Sequence, residues 1–128
     1  MSDPGPDVQG CDVFTGTSNL QGGETIVIGV QNLNDSGNTS YLEAVNNWDK
    51  PAALAQWTGS QYFGSGDTSV GQTYLVSVIV MPSSVVQSAL ANPANRPTWA
   101  VTSLPAGATV KQSLRMKRVS GEGPAACR

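Results

Sequence analysis

Histidine is absent from this chain of 128 residues. Its absence excludes the Ser-His-Asp and Cys-His groupings of nucleophilic enzymes, and it removes the commonest zinc ligand of proteins. The sequence has no Walker motif, and its two cysteines, Cys11 and Cys127, lie too far apart for a CxxC metal or redox motif. We therefore predict a protein that is not an enzyme and that needs no metal or cofactor.

Charged residues are also scarce, at 12% of the chain against the usual ~25%. The net charge of −2 argues against nucleic-acid binding, which usually needs a basic domain. No apolar run approaches the ~20 residues that span a bilayer, and the first residues lack the basic and apolar regions of a signal peptide. Low charge with many small polar residues is typical of secreted β-rich modules, so we expect an extracytoplasmic protein, secreted or at the cell surface, as an excised domain lacking its signal.

The positions of the two cysteines suggest a structural disulfide. Cys11 lies near the start of the first predicted strand, and Cys127 lies in the polar tail GEGPAACR. A bond between them would close a loop of roughly 100 residues. The chain-entropy model predicts that such a bond stabilises the folded state by about 4.7 kcal/mol at best. The alternative is two unrelated thiols, one of them on a frayed tail. We predict the disulfide, because such a tail has little other reason to hold a cysteine.

The longest strongly apolar run, Thr73–Pro82, is β-branched and aromatic and predicts a central strand. In an extended chain Tyr74 and Val76 fall on one face and Leu75 and Ile79 on the other, so both faces should be covered. Further strands are predicted for the alternating or β-branched stretches 11–17, 24–32, 39–45, 57–63 and 109–119.

One helix is predicted directly after the central strand. Ser84 is a suitable N-cap, and Gln87 three residues later completes a capping box. Asn92 and Pro93 should end the helix, and residues 95–105 around Trp99 should form a loop. Pro51–Ala55 is predicted as one helical turn.

About seven short strands without a βαβ rhythm predict an all-β fold, an antiparallel immunoglobulin-like β-sandwich with one short helix before the last strands. Residues 10–120 should form this sandwich. Residues 1–9 should be a disordered linker, and residues 121–128 a C-terminal tail pinned by the disulfide.

The last predicted strand alternates clearly between apolar and basic residues, which is typical of a half-exposed strand. The residues expected to point inwards are Val110, Leu114 and Met116. The basic residues expected to point outwards are Lys111, Arg115 and Lys117. This basic face could meet an acidic partner or an anionic polymer, or it could protect an edge strand against aggregation. We favour the protective role.

Two sets of oxygen-bearing side chains leave minor alternatives open. Glu43, Asp49 and Asp67 lie near the aromatic segment and could form the carboxylate pair of a small glycan hydrolase, although surface acids would look the same. The loop residues Asn34, Asp35 and Asn38 offer oxygens for calcium, but their spacing is not that of an EF-hand and turn formation explains them equally well.

Aromatic residues crowd into one part of the sequence and form the candidate binding surface, composed of Trp48, Trp57, Tyr62 and Trp99. Flat aromatic side chains on loops hold sugar rings or anchor protein partners. For each ring taken singly, burial in the core is the favoured alternative. Because Trp57 and Tyr62 are separated by an odd number of positions, at least one of them should be buried.

Three stretches carry a resemblance to a known type of domain: GETIVIGVQNL, NNWDKPAALAQWTGSQYFGSGDTSVGQTYLVSVIVM and LPAGATVKQSLRMKRV. Together they resemble a small immunoglobulin-like accessory domain of actinobacterial proteins. The shared residues are Trp57, Gly59, Gln61, Tyr62, Phe63, Gly64 and Gly71, with the predicted helix and the Leu-Pro-x-Gly-Ala turn at 104–108. The resemblance implies a sandwich in a bacterial surface or multidomain protein, and it transfers no catalytic or binding residues.

These observations leave three hypotheses for function. The first is a non-enzymatic protein-interaction or structural module that presents the loops around its tryptophans to a partner. The second is a carbohydrate-binding module that uses the same aromatics to hold a cell-surface glycan. The third is the small glycan hydrolase, which needs two carboxylates facing each other across a cleft. The sequence does not indicate an oligomeric state.

Overall fold

The predicted central strand is also the centre of the fold in the computed structural model, which describes residues 7–20, 22–64 and 69–125. The described residues form mostly strands and one α-helix: β1 (Asp7–Val8), β2 (Cys11–Thr17), β3 (Glu24–Asn32), β4 (Ser40–Ala44), β5 (Gln56–Tyr62), β6 (Thr73–Pro82), α1 (Ser83–Leu90), β7 (Thr98–Val101) and β8 (Thr109–Arg118). Short 3-10 helices at Pro51–Ala55 and Pro93–Asn95 precede β5 and β7.

The strands form two sheets. The larger has six strands in the order β1-β8-β6-β3-β4-β7, and the smaller pairs β2 with β5. Neighbouring strands are antiparallel except β1 and β8, which pair in parallel through Asp7 with Lys117 and Val8 with Arg118. The expectation of a wholly antiparallel sandwich is therefore corrected: the larger sheet is mixed, because the chain enters along the last strand before it crosses to the smaller sheet.

The smaller sheet packs on one face of the larger sheet, which we call the inner face. This core joins alternate residues of β3 and β6, such as Ile28 and Val76, to Phe14 and Trp57 of the smaller sheet. Side chains on one face of a strand recur at every second residue, so the alternation read from the sequence identifies the inner set.

Helix α1 covers part of the opposite face of the larger sheet, which we call the outer face. Val86 of α1 is buried against Val27, Leu42, Ile79 and Met81. The central strand is therefore covered on both sides at its C-terminal end, which accounts for apolar residues on both of its faces. Towards its start the outer face carries half-buried Leu75 and Ser77.

The helix begins two residues earlier than predicted, and the predicted capping box is absent. Its N-cap position is Pro82, which makes no side-chain capping bond. The backbone N–H of Ser83 donates to the carbonyl of Gly23 at 2.8 Å. Strand β6 therefore runs directly into α1, and the Gly23 carbonyl accepts a hydrogen bond from one of the first N–H groups of the helix, which have no partner within the helix itself.

Two predicted irregular segments contain strands. Asp7 and Val8, expected in a linker, form β1, and Val8 is fully buried. Residues 98–101, expected in a loop, form β7 by pairing with β4, with Trp99 opposite Leu42. Both strands are too short for an alternating pattern to emerge, and pairing with a longer strand stabilises them. Residues 1–6 of the predicted linker lie outside the described residues.

The predicted inward orientation of Val110 is wrong, because β8 contains a β-bulge. Gln112 pairs with Val78 whereas Val110 pairs with Ile79, so Lys111 is the extra residue of β8. The bulge reverses the alternation, because residues before it change faces. Val110 therefore lies on the outer face with 47% of its surface exposed, while Met116, beyond the bulge, is buried as predicted.

Gly59 permits close packing of the two sheets and provides a test of it. A Cβ at this position would lie 2.8 Å from Ile28 Cδ1 and 2.9 Å from Val45 Cγ1. We expect Gly59→Ala to lower the free energy of unfolding by about 1–3 kcal/mol through overpacking. Gly37→Ala is the matched control, because nothing lies within 4 Å of its Cβ. Equal urea midpoints for the two variants would contradict the proposed close packing.

Candidate functional site

A cavity of about 310 Å³ opens between the two sheets where β5 ends and β6 begins. We call it the tyrosine cleft, and its described lining residues are Val30, Asn32, Asp35, Tyr41, Gln61, Tyr62, Gly64, Ser69, Tyr74 and Thr98. Three aromatic rings and several amide, hydroxyl and carboxylate groups therefore meet in one concave surface. Ligand sites are usually concave, with apolar walls and a few placed polar groups.

The three tyrosines come from different strands. Tyr41 lies on the inner face of β4 opposite Val30, Tyr62 ends β5, and Tyr74 lies near the start of β6. Tyr41 and Tyr62 are 49% and 39% exposed, whereas Tyr74 is 4% exposed. The ring of Tyr74 meets Phe63 edge-on at 5.5 Å between centroids. The rings of Tyr41 and Tyr62 are therefore partly exposed, and the ring of Tyr74 joins the cleft to the core.

Gln61 holds the exposed tyrosines in place. Its side chain is fully buried, and Nε2 donates to the carbonyls of Ile28 and Tyr41, both at 2.9 Å. Its Oε1 accepts a bond from the backbone N–H of Tyr62 at 2.8 Å. The side-chain amide of Gln61 therefore links the backbone of Tyr41 to that of Tyr62. Its own donor and acceptor atoms are hydrogen-bonded, as is usual for a buried polar group. The cleft is preorganised as a result.

Glu43 lies beside the tyrosine cleft, next to two of its lining residues. It follows Tyr41 on the same face of β4 and stands opposite Thr98 of β7 in the register. It is 7% exposed, and Oε2 accepts a bond from Ser60 Oγ at 2.6 Å. Oε1 has no hydrogen-bond partner in the described part of the chain. Burial raises the pKa of Glu43 to about 7, and the bond from Ser60 acts in the opposite direction.

The structure separates the four aromatics of the predicted binding surface. Trp57 is 3% exposed and belongs to the inner-face core. Trp48 is half-buried and contacts both apolar clusters, and Trp99 packs against the outer-face cluster beside α1. Tyr62 alone of the four lines the tyrosine cleft, where it meets Tyr41 and Tyr74 instead of the tryptophans.

The three basic residues of β8 that were predicted to point outwards, Lys111, Arg115 and Lys117, are all exposed, but they do not share one face. Arg115 and Lys117 lie opposite Leu75 and Thr73 on the outer face, whereas Lys111 sits at the bulge. A fourth basic residue of β8, Arg118, was not among the predicted candidates. It is 3% exposed and donates from Nε to the carbonyl of Phe63 at 3.0 Å. The apolar-basic alternation gave no signal that one of these cations is structural.

The predicted carboxylates do not gather at one site. Glu43 is buried, Asp49 is exposed, and Asp67 lies outside the described residues. In the loop considered for calcium, Asn34 Oδ1 accepts the backbone N–H of Thr73 at 2.7 Å, which is a structural role. Among residues 7–20, 22–64 and 69–125, no three Cys, Asp or Glu side chains come close enough to hold a metal ion.

The described residues include only one of the two cysteines. Cys11 is buried, whereas Cys127 lies outside the described residues, so their pairing stays a prediction. The C-terminal segment nevertheless reaches Cys11. Gly10 N–H donates to the carbonyl of Gly121 at 2.9 Å, and Cys11 N–H donates to that of Glu122 at 3.0 Å.

Comparisons with known proteins returned no match, whether with protein-family models, with curated proteins or with solved structures. No helix in the described ranges has the length and apolar character needed to cross a bilayer.

Proposed function

We propose that this chain is a non-enzymatic immunoglobulin-like binding module and that the tyrosine cleft binds a glycan. The observation that carries the proposal is the pair of half-exposed rings, Tyr41 and Tyr62, held at one concave site by the buried amide of Gln61. The two packed sheets support the immunoglobulin-like architecture. The expected extracytoplasmic location and the actinobacterial resemblance are consistent with a glycan ligand.

The chemistry of the cleft suits a sugar ring. The C–H faces of a pyranose are apolar and pack on tyrosine rings, while its hydroxyl groups need polar partners at the edges. Asn32, Asp35 and Thr98 supply such partners around the rings. A volume of about 310 Å³ is at the lower end of ligand sites, so the cleft would hold one or two sugar residues of a longer chain.

Titration with soluble glycans tests the proposal. NMR or calorimetry should detect saturable binding of one class among fragments of peptidoglycan, chitin, cellulose, xylan and starch. We expect Tyr41→Ala and Tyr62→Ala each to weaken this binding about ten-fold or more, because each removes an aromatic contact surface. Tyr41→Phe and Tyr62→Phe keep the rings and should retain most of the affinity.

Matched controls distinguish the cleft from the predicted tryptophan surface. Trp99→Phe alters an aromatic outside the cleft and should leave glycan affinity unchanged. Loss of binding in Trp99→Phe with retention in both alanine variants would overturn the assignment. Cleavage of the glycan during the titration would instead identify a hydrolase, for which Asp35 and Glu43 would be the first carboxylates to replace.

A protein partner is the second candidate, and the uncovered part of the outer face favours it. A groove of about 370 Å³ lies there, with exposed Val110 (47%) and Leu104 (36%) beside Ser77 and Ser113. Arg115 follows on the same face of β8, so an extended acidic segment is the partner that fits. Val110→Asp should abolish such binding and leave the glycan titration unchanged.

A further inference from the structure

A second opening between the two sheets lies at the opposite end of β3 and β6 from the tyrosine cleft. We call it the Lys111 cavity. Its volume is about 290 Å³, and its described lining residues are Thr17, Ser18, Asn19, Leu20, Ile26, Trp57, Val78, Val80, Lys111 and Gln112. It shares no described lining residue with the tyrosine cleft.

The floor of this cavity is apolar. Four of its residues are almost fully buried, with exposed fractions of 1–7%: Ile26, Trp57, Val78 and Val80. Leu20 packs against the same core cluster from the side. An apolar concave surface of this kind favours an aliphatic or aromatic group over water.

The rim carries one cation, and the bulge of β8 places it there. In a regular strand Lys111 would point away from the inner face, because its neighbour Gln112 pairs with Val78 on that face. The register shift leaves Lys111 as the extra residue, and both Lys111 and Gln112 line the cavity. Bulges commonly redirect a side chain in this way next to binding sites.

We propose that the Lys111 cavity binds a small organic anion with an apolar tail, such as a medium-chain carboxylate. The tail would pack on Trp57, Val78 and Val80, and the carboxylate would pair with the ammonium group of Lys111. Lys111 is the only charged residue among the described residues of the lining, so an anion is the charged ligand that fits. Hydroxyl and amide groups on the rim, at Thr17 and Asn19, can serve the second carboxylate oxygen.

Octanoate is the probe, and the indole N–H of Trp57 is the reporter in an NMR titration. We expect a saturable shift of that signal. Lys111→Gln should weaken octanoate binding about five-fold, the effect of one solvent-exposed ion pair. Lys111→Arg should keep the affinity near the wild-type value. Octanol, which has the same tail and no charge, should bind equally to the wild type and to Lys111→Gln.

Lys117→Gln is the matched control, since it removes the same charge from the same strand on the outer face. It should leave octanoate affinity unchanged. The proposal fails if octanoate produces no saturable shift at Trp57. It also fails if Lys117→Gln weakens binding as much as Lys111→Gln, because the effect would then come from net charge rather than from the cavity.

Discussion

Reduction of the protein with a thiol should lower its melting temperature by about 10–15 °C. The expected cause is loss of the predicted Cys11–Cys127 disulfide, which closes a loop of roughly 100 residues and is valued at no more than about 4.7 kcal/mol. A domain of 128 residues loses about 1 °C for every 0.3 kcal/mol, given an unfolding entropy of about 2.1 cal/mol/K per residue. A full contribution would therefore lower the melting temperature by about 17 °C, and the expected shift of 10–15 °C corresponds to about 3–4 kcal/mol, which is a typical contribution of a native disulfide.

The contacts beside Cys11 support this prediction. The C-terminal segment is bound to the chain ahead of β2 through the carbonyls of Gly121 and Glu122, and Gln9 Nε2 donates to the carbonyl of Ser120 at 3.2 Å. Val119 N–H donates to the carbonyl of Val8 at 2.8 Å. These bonds keep the start of the C-terminal segment close to Cys11, so a cross-link would preserve an arrangement that the fold already makes.

Intact mass and thiol titration under non-reducing conditions provide the direct measurement. The disulfide predicts a mass about 2 Da below the reduced value and no titratable thiol in the native protein. Cys127→Ser should melt at the temperature of the reduced protein, and added reductant should not change it further. Two titratable thiols would refute the disulfide and remove the principal argument for an extracytoplasmic location.

The strands predicted correctly are those whose alternation extends over five or more residues. Strand β3, Glu24–Asn32, was predicted with the bounds that it has in the structure, because β-branched residues fill it and turns flank it. Strand β7 has only four residues and follows Pro97, and its formation depends on pairing with β4. The bulge at Lys111 also leaves no mark in the alternation, so the reversal at Val110 could not be read from the sequence.

The candidate sites could be predicted only in part, because alternation assigns a residue to a face without showing what covers that face. Trp57 and Gln61 fall on the side of β5 that the larger sheet buries. Tyr41 lies on the equivalent side of β4 but near the start of that strand, where the smaller sheet stops and a cleft opens. The sequence pattern selected Tyr62 as a candidate, and its assignment to a binding site stays a prediction. Its partners Tyr41 and Tyr74 could not be selected in the same way, because the cleft forms where three strands meet at one edge.

The buried carboxyl of Glu43 should make folding stability depend on pH between about 4.5 and 7. Burial raises its pKa from an ordinary 4.5 to about 7 in the folded protein. Between these values the folded chain binds more protons than the unfolded chain, so stability falls as the pH rises. Its contribution is complete below pH 4.5 and is lost as the pH passes through about 7. One unit of pKa corresponds to about 1.4 kcal/mol, so the full difference between 4.5 and 7 would correspond to about 3.5 kcal/mol. Screening by nearby solvent reduces the expected change to about 2–3 kcal/mol.

Glu43→Gln replaces the carboxyl with a neutral group of the same shape that can still accept the bond from Ser60. We expect the variant and the wild type to have similar free energies of unfolding at pH 4, and the variant to be more stable by about 2–3 kcal/mol at pH 8. Urea denaturation at intervals across this pH range measures the free energy of unfolding of both proteins. Subtracting one from the other removes the contributions of all other titrating groups. Asp49→Asn is the matched control, because it removes an equal charge from an exposed position. The difference between its free energy of unfolding and that of the wild type should not change across this pH range. If the difference for Glu43→Gln does not change either, then water or a rearranged side chain must satisfy Glu43 Oε1, and the carboxyl beside the tyrosine cleft is charged at neutral pH.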